Sequence, residues 1–162
     1  QEKALFHSYP LIVFENGQGL LLDDSFCLDY DHNTPAYVGT KVPADIIAKN
    51  FVPAEVQIEP LYVTRSYLTR HGVGPLEEEV VKTEINTFMF DKTNVHNSFQ
   101  GTLRYGFLED ADQAARIAKD WAIVGDNANF KKSMAVTHCN EFDCETEEKY
   151  FSDDPYEVKE RK

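Results

Sequence analysis

The chain reads as α/β, a portion of a larger, mostly parallel sheet flanked by helices with long active-site loops, and three observations predict this. A short apolar run, Pro10-Leu11-Ile12-Val13-Phe14, ends in Asn16-Gly17-Gln18-Gly19, the pattern of a buried strand feeding a tight loop. A second run, Ser133-Met134-Ala135-Val136-Thr137, leads into His138-Cys139-Asn140-Glu141. Before it, Ala111, Ala114, Ala115, Ala118, Trp121 and Ala122 recur at the i, i+3, i+4, i+7 spacing of one buried helix face.

The remaining elements follow in order. After Leu20-Leu21-Leu22 the residues from Asp23 to Thr34 are polar, with Pro35 and Gly39 beyond them, which makes a long loop. Pro43 to Lys49 is a short helix with proline near its start, and Val56 to Leu68 carries the alternation and β-branching of a central strand. That strand ends in Thr69-Arg70-His71-Gly72-Val73-Gly74-Pro75, where two glycines and a proline preclude regular structure. Thr83 to Phe90 is ambiguous between helix end and strand, Asp91 to Gln100 is a polar loop, and Gly101 to Leu108 resembles a strand. Asp110 or Asp112 can cap the alanine-rich helix, and Gly125-Asp126-Asn127 stops it. The expected domain covers residues 1–144, and 145–162 form an acidic surface segment or partly disordered tail.

Composition narrows the function. The 162 residues are enough to bury roughly 70% of the unfolded surface without disulfides or metal. Sixteen Lys and Arg against 28 Asp and Glu give a net charge of −12, which repels a polyphosphate backbone and argues against nucleic acid as partner. It does not argue against a small phosphorylated ligand, for which one or two arginines and backbone N–H groups suffice. No apolar stretch approaches the roughly 20 residues of a membrane span. Cys27, Cys139 and Cys144 are an odd count in a chain with no cationic and apolar leader, so a reducing cytoplasm is the expected compartment. Residue 1 is Gln rather than Met, and the expectation is that the chain is a piece of something longer.

Four segments are candidate sites, each with a plain structural alternative. Gln18, between two glycines at a strand's carboxyl end, offers an amide that donates and accepts to a base edge, or is simply part of a turn. The Thr69–Pro75 loop offers Arg70 and exposed backbone N–H groups to a phosphate or oxyanion, or is a strand exit with a solvated arginine. Arg104 lies in an otherwise uncharged run and must find an anion, either a structural carboxylate or a ligand's. His138, Cys139 and Cys144 lack the further ligands that structural zinc needs, nothing activates Cys139 as a nucleophile, and Glu77-Glu78-Glu79 reads as a solvated face.

Taken in order, these loops resemble the later part of the adenylosuccinate synthetase family. Val13-Phe14-Glu15-Asn16-Gly17-Gln18-Gly19-Leu20-Leu21-Leu22-Asp23 is similar to that family's strand and E-G-A-Q-G-x-L-L-D loop, and Tyr37-Val38-Gly39-Thr40 to its Y-V-T-S-S. Tyr67-Leu68-Thr69-Arg70-His71-Gly72-Val73-Gly74-Pro75 is similar to Y-x-T-R-V-G-x-G-P, and Arg104-Tyr105-Gly106-Phe107-Leu108-Glu109 to the end of the arginine-rich loop with its G-W-L-D. Ala135-Val136-Thr137-His138-Cys139-Asn140 stands in the place of L-T-K-L-D.

The resemblance implies a ligase joining IMP to aspartate with GTP or ATP and Mg²⁺, through a phosphorylated purine. It places Gln18 on the purine edge, Thr40, or Thr34 as the lesser alternative, near the IMP phosphate, and Arg70, Gly72, Val73 and Gly74 along the nucleotide. Arg104 would grip aspartate, while Thr137, His138 and Asn140 would face the donor's base. The departures are equally specific. One arginine replaces an arginine-rich stretch, and His138 and Asn140 stand where the family has Lys and Asp. The G-D-E-G-K-G loop that carries the catalytic base is not in these residues, nor is the early histidine that acts as acid, and no metal ligands are expected here. The expected partners therefore include the missing amino-terminal portion and a homodimer mate. The chain by itself is expected to be inactive, with a catalytically silent purine-nucleotide-binding or protein-interaction module as the alternative.

Overall fold

A computed structural model describes residues 6–26, 30–52, 55–86, 93–124 and 132–141. Among them the fold is mixed α/β, with helices α1 (Lys41–Asn50), α2 (Lys82–Ile85) and α3 (Asp110–Val124). The strands are β1 (Leu61–Arg65), β2 (Leu68–Arg70), β3 (Glu79–Val80), β4 (Arg104–Gly106) and β5 (Ser133–Thr137). β1 and β5 form a two-stranded parallel sheet, and β2, β4 and β3, in that order, a three-stranded antiparallel one. Among the described strands, parallel pairing is thus confined to β1 and β5, and an isolated parallel bridge joins Asp23 and Thr34. The chain divides into two compact units, Gln1–Pro60 with Ala115–Lys131, and Leu61–Ala114 with Lys132–Lys162. The tail expected over 145–162 lies outside the described residues. No described helix is long and apolar enough to cross a membrane.

In the first unit the decisive feature is the entry to α1. The first N–H groups of a helix have no intrahelical acceptor, and a carboxylate placed there both accepts their bonds and suits the helix dipole. Here two carboxylates hold instead the N–H groups of the residues that lead into the helix, Val38, Gly39 and the N-cap Thr40. Asp23 Oδ2 accepts from the Val38 and Gly39 N–H groups at 2.5 and 3.3 Å, while its Oδ1 accepts from the Ser25 N–H and hydroxyl at 2.8 and 2.5 Å. Asp120, reaching from α3, accepts from the Thr40 N–H at 3.0 Å, and the Thr40 hydroxyl donates to the Asp120 carbonyl at 3.1 Å. Asp23 and Asp120 are 1% and 0% exposed. Burial pushes the Asp23 carboxyl up, but the hydrogen bonds from Ser25, Val38 and Gly39 together outweigh it and hold it below its usual value. Gly39 is glycine for want of room: a Cβ there would lie 2.0 Å from Asp120 Oδ1 and 2.9 Å from Leu20 Cδ2.

This clamp explains a departure from the expected face of α3. Ala111, Ala114, Ala115, Ala118 and Ala122 are exposed, and the helix buries Ile117 and Asp120 instead, with Gln113, Arg116, Trp121 and Val124 half-buried. Burying one isoleucine, worth about 1.5–3 kcal/mol, together with a carboxylate that completes the α1 entry, outweighs a stripe of single methyl groups. The Glu109 carbonyl accepts the Gln113 N–H, so Asp110 and Asp112 stand in the first turn rather than at the cap. The strand expected over Pro10–Phe14 is a second correction. It pairs with no described strand, and Leu11 and Val13 are each 77% exposed while Ile12 and Phe14 are half-buried. That alternation belongs to an extended segment covered on one side, not to a strand buried on both faces.

The second unit is built on a cluster of Tyr67, Ile85, Leu103 and Tyr105, with Val80 and Phe107 against it. Of the strand expected over Val56–Leu68, Leu61–Arg65 forms β1; the chain bends at Ser66 and Tyr67 into β2, which begins at Leu68 and takes in Thr69 and Arg70, the start of the bend expected to be irregular. Gly106 in the central strand β4 admits the Glu77–Glu78 backbone: a Cβ there would lie 2.5 Å from the Glu77 carbonyl oxygen. The parallel register runs from Leu61 opposite Ser133 to Arg65 opposite Thr137, so β1 and β5 end side by side. Of the ambiguous Thr83–Phe90 stretch, residues up to Ile85 close α2, and 87–90 lie outside the described residues.

Asp120→Ala strands a buried N–H and is expected to lower the unfolding free energy by about 1–3 kcal/mol, and Gly39→Ala by about as much through overpacking; urea unfolding at neutral pH measures both. Asp23 titrates lower in the folded than in the unfolded chain, whose value is 3.8. Its stabilisation is therefore present above that value and lost as pH falls through the folded one, so the urea midpoint should fall on acidification below about pH 4 and Asp23→Asn should flatten the fall.

Candidate functional site

The residues singled out in sequence fall into three groups. Gln18 and Thr40 belong to the first unit. The Glu15–Gly19 loop is stitched to the α1 entry by Asn16, whose Nδ2 donates to the Val38 and Gly39 carbonyls at 2.6 and 2.8 Å. Gln18 stands exposed, its amide bonded to no other described residue. The flanking glycines are unusual for what they do not do. Neither Gly17 nor Gly19 has a positive φ, and a Cβ on either would meet nothing within 4 Å. Gly39 and Gly106 are explained by packing, and Gly72, Gly74 and Gly101 by left-handed backbone at φ 76°, 101° and 71°. Gly17 and Gly19 are explained by neither. Thr40, by contrast, is committed: its N–H and its hydroxyl proton both go to Asp120.

Arg70, Gly72, Val73, Gly74 and Arg104 come together in the second unit, with Arg70 opposite Arg104 in the β2–β4 register. Of the two anions left open for Arg104, the structure supplies a protein carboxylate. Its Nε and Nη2 grip Glu79, the former at 2.7 Å, and its Nη1 donates to the Gly72 and Gly74 carbonyls at 3.0 and 2.7 Å. The paired hydrogen bond lowers the Glu79 carboxyl and raises the Arg104 guanidinium. The loop therefore turns carbonyls toward a guanidinium, and the Gly72 N–H, expected to face a ligand, donates to the Gln100 carbonyl at 3.0 Å. Arg70 Nε donates to the Val73 carbonyl at 3.0 Å, leaving the Val73 side chain 75% exposed. Beside it, Asn97 Oδ1 accepts from the Phe99 and Gln100 N–H groups at 3.0 and 2.8 Å, a turn that holds Phe99 outward at 96% exposure.

The third group closes β5. The Thr137 hydroxyl donates to the Thr64 carbonyl at 3.0 Å, and the Ser66 hydroxyl to the His138 carbonyl at 3.0 Å. His138 sits at φ 63°, a left-handed conformation uncommon outside glycine. The Asn140 side chain lies outside the described residues. The carboxylate that is described here is Glu141, which takes the Tyr67 hydroxyl while Asn86 donates to the Glu141 carbonyl at 2.6 Å. Burial, followed by the bond to Glu141, pushes Tyr67 up to about 12. Cys139 Sγ donates to the Val136 carbonyl at 3.7 Å. Among the described residues no three His, Cys, Asp or Glu side chains gather where they could hold a metal ion. The Mg²⁺ implied by the resemblance finds no ligand set in them.

Asp23, Asp120, Glu79 and Glu141 are the residues that sequence reasoning misses. Glu79 and Glu141 sit in polar stretches that read as solvated; Asp23 closes the Leu20-Leu21-Leu22-Asp23 segment of the loop motif, and Asp120 lies three residues from Ile117 on the helix and so on its face. No protein-family model and no curated protein matches the chain.

Arg104→Lys removes the fork that holds two glycine carbonyls and a carboxylate at once. Hydrogen exchange at the Gly72 amide should accelerate by about tenfold, the loss of one charge-assisted hydrogen bond. Tyr67 is raised in the fold, so its stabilisation is present below the ordinary tyrosine value of 10.0 and lost as pH climbs toward about 12. Alkaline unfolding followed by circular dichroism should lose that step in Tyr67→Phe.

Proposed function

We propose that this chain binds a purine at the Glu15–Gly19 loop, as the carboxyl-side portion of an adenylosuccinate-synthetase-like ligase that carries out no phosphoryl transfer by itself. The observation that carries the reading is the pair Gly17 and Gly19, which no backbone angle or neighbouring atom requires, flanking an exposed and unbonded amide. An amide that donates and accepts matches a purine edge, and its glycine neighbours let the ring lie against the backbone.

In the larger protein the β1–β5 pair would belong to a mostly parallel sheet, and its carboxyl ends, with Thr137, His138 and Asn140, would face the GTP or ATP donor. Arg70, Gly72, Val73 and Gly74 would form the nucleotide wall. Two features argue against turnover by this chain. Its residues include no G-D-E-G-K-G loop, and an aspartate substrate would have to displace Glu79 from Arg104. A protein-contact reading is favoured by a separate observation: Phe99 and Val73, 96% and 75% exposed, stand on loops joined through the Gly72–Gln100 bond.

Calorimetric titration with inosine and IMP tests the proposal. Gln18→Ala should weaken purine binding by about tenfold, the worth of a lost pair of hydrogen bonds. Gly17→Ala and Gly19→Ala should weaken it similarly while leaving stability within about 0.5 kcal/mol, since each new methyl meets open space. Binding unaffected by all three changes, or absent from the intact chain, defeats the reading; binding lost through Phe99→Ala rather than Gln18→Ala would favour the contact surface.

A further inference from the structure

This inference rests on the reading that the carboxyl ends of β1 and β5 face the base of the GTP or ATP phosphoryl donor, and concerns how that base is held. The two strands end side by side at Arg65 and Thr137, and parallel sheets take their ligands beyond the carboxyl ends of the strands. His138 follows β5 directly. Its carbonyl accepts from the Ser66 hydroxyl and from the Glu141 N–H, each at 3.0 Å, and its ring stands edge-on to Tyr67 with the ring centres 6.0 Å apart. We infer that His138 contacts the base through Nε2 as a hydrogen-bond acceptor, with Thr137 as the positioning residue that sets its tautomer, so that the group recognised is a ring or amino N–H rather than a carbonyl oxygen.

The tautomer follows from counting protons. The Thr137 hydroxyl has one, and it goes to the Thr64 carbonyl at 3.0 Å. His138 Nδ1 lies 2.9 Å from the same hydroxyl oxygen, which has only lone pairs left to offer it. Neutral His138 therefore carries its proton on Nδ1 and keeps a bare lone pair on Nε2. Nε2 is bonded to no described residue and is not buried, so a ligand can reach it. His71, in the Thr69–Pro75 bend, is set the other way: its Nε2 meets Asn94 Oδ1 at 2.9 Å, and its unpartnered Nδ1 is buried. Beside His138, the Tyr67 hydroxyl goes to Glu141 and Cys139 Sγ to the Val136 carbonyl, which engages both within the protein. The lysine that stands at this place in the family the chain resembles can only donate; with His138 the polarity of the contact is inverted.

The test is ring-nitrogen NMR of the full chain, at a pH where the His138 ring is neutral, while adenosine or purine riboside is added. The two nucleosides share the purine ring, and only the base of adenosine carries an N–H. Wild-type His138 should show its proton on Nδ1; Thr137→Val should move it to Nε2, and Thr137→Ser should keep it on Nδ1. Adenosine should shift the His138 Nε2 signal with an affinity about tenfold above that of purine riboside, the loss of one hydrogen bond, and in Thr137→Val that difference should vanish. Should Thr137→Val fail to fold, the wild-type tautomer and the two wild-type titrations decide the same question. A wild-type ring protonated on Nε2, or purine riboside shifting His138 at the same concentrations as adenosine, overturns the inference while the placement of the base at β1 and β5 stands. His138 signals that neither nucleoside moves bring down both, and the Gln18 amide signal, followed in the same titrations, reports separately on the Glu15–Gly19 loop.

Discussion

The first unit depends on two buried carboxylates meeting three consecutive N–H groups, those of Val38, Gly39 and Thr40, that lead into α1. Neither half of that arrangement is stable without the other. A carboxylate taken out of water without donors, or N–H groups turned inward without acceptors, would cost several kcal/mol. Joined, they fix the rotation of α3 about its axis, the path of the loop into α1 and the identity of residue 39. The position of the Glu15–Gly19 loop is inherited from them, because Asn16 binds the carbonyls of the residues whose N–H groups Asp23 holds.

The second unit solves the same problem with the opposite charge. Arg104 is surrounded by acceptors, two from glycines whose left-handed backbone turns their carbonyls inward and two from Glu79. An acidic chain with few cations has used this one as a structural centre. That is why the glycine-rich bend does not present its N–H groups as a phosphate loop would: a bend wound around a guanidinium must offer oxygen. The chemistry available to a ligand at this bend is carbonyl and exposed apolar surface, not a cradle of donors.

How much of this could be read beforehand depends on the range of the interaction concerned. β5, α1 and the extent of α3 follow from local pattern, and they are found where the apolar runs and the proline place them. The buried face of α3 could not be read that way, because alanine spacing measures only the cost of a methyl in water, whereas the face is set by Asp120 meeting residue 40, eighty positions away. Glu79 and Arg104 are twenty-five residues apart and joined by antiparallel pairing that short strands barely signal. Pro10–Phe14 has the composition of a central strand, but composition does not supply the neighbours that would make it one. The candidate loops were legible as loops; the partners that occupy most of their polar groups were not.

The polar groups left over are informative because they are so few. In the first unit the hydroxyl and N–H of Thr40 are taken by Asp120, the N–H groups before it by Asp23, and the Asn16 amide by two carbonyls. The two glycines around the outward amide of Gln18 each cost backbone entropy on folding relative to alanine. Gly17 and Gly19 bear that cost with no angle or contact to offset it. An exposed amide between two such glycines is the feature on which the purine-binding proposal rests.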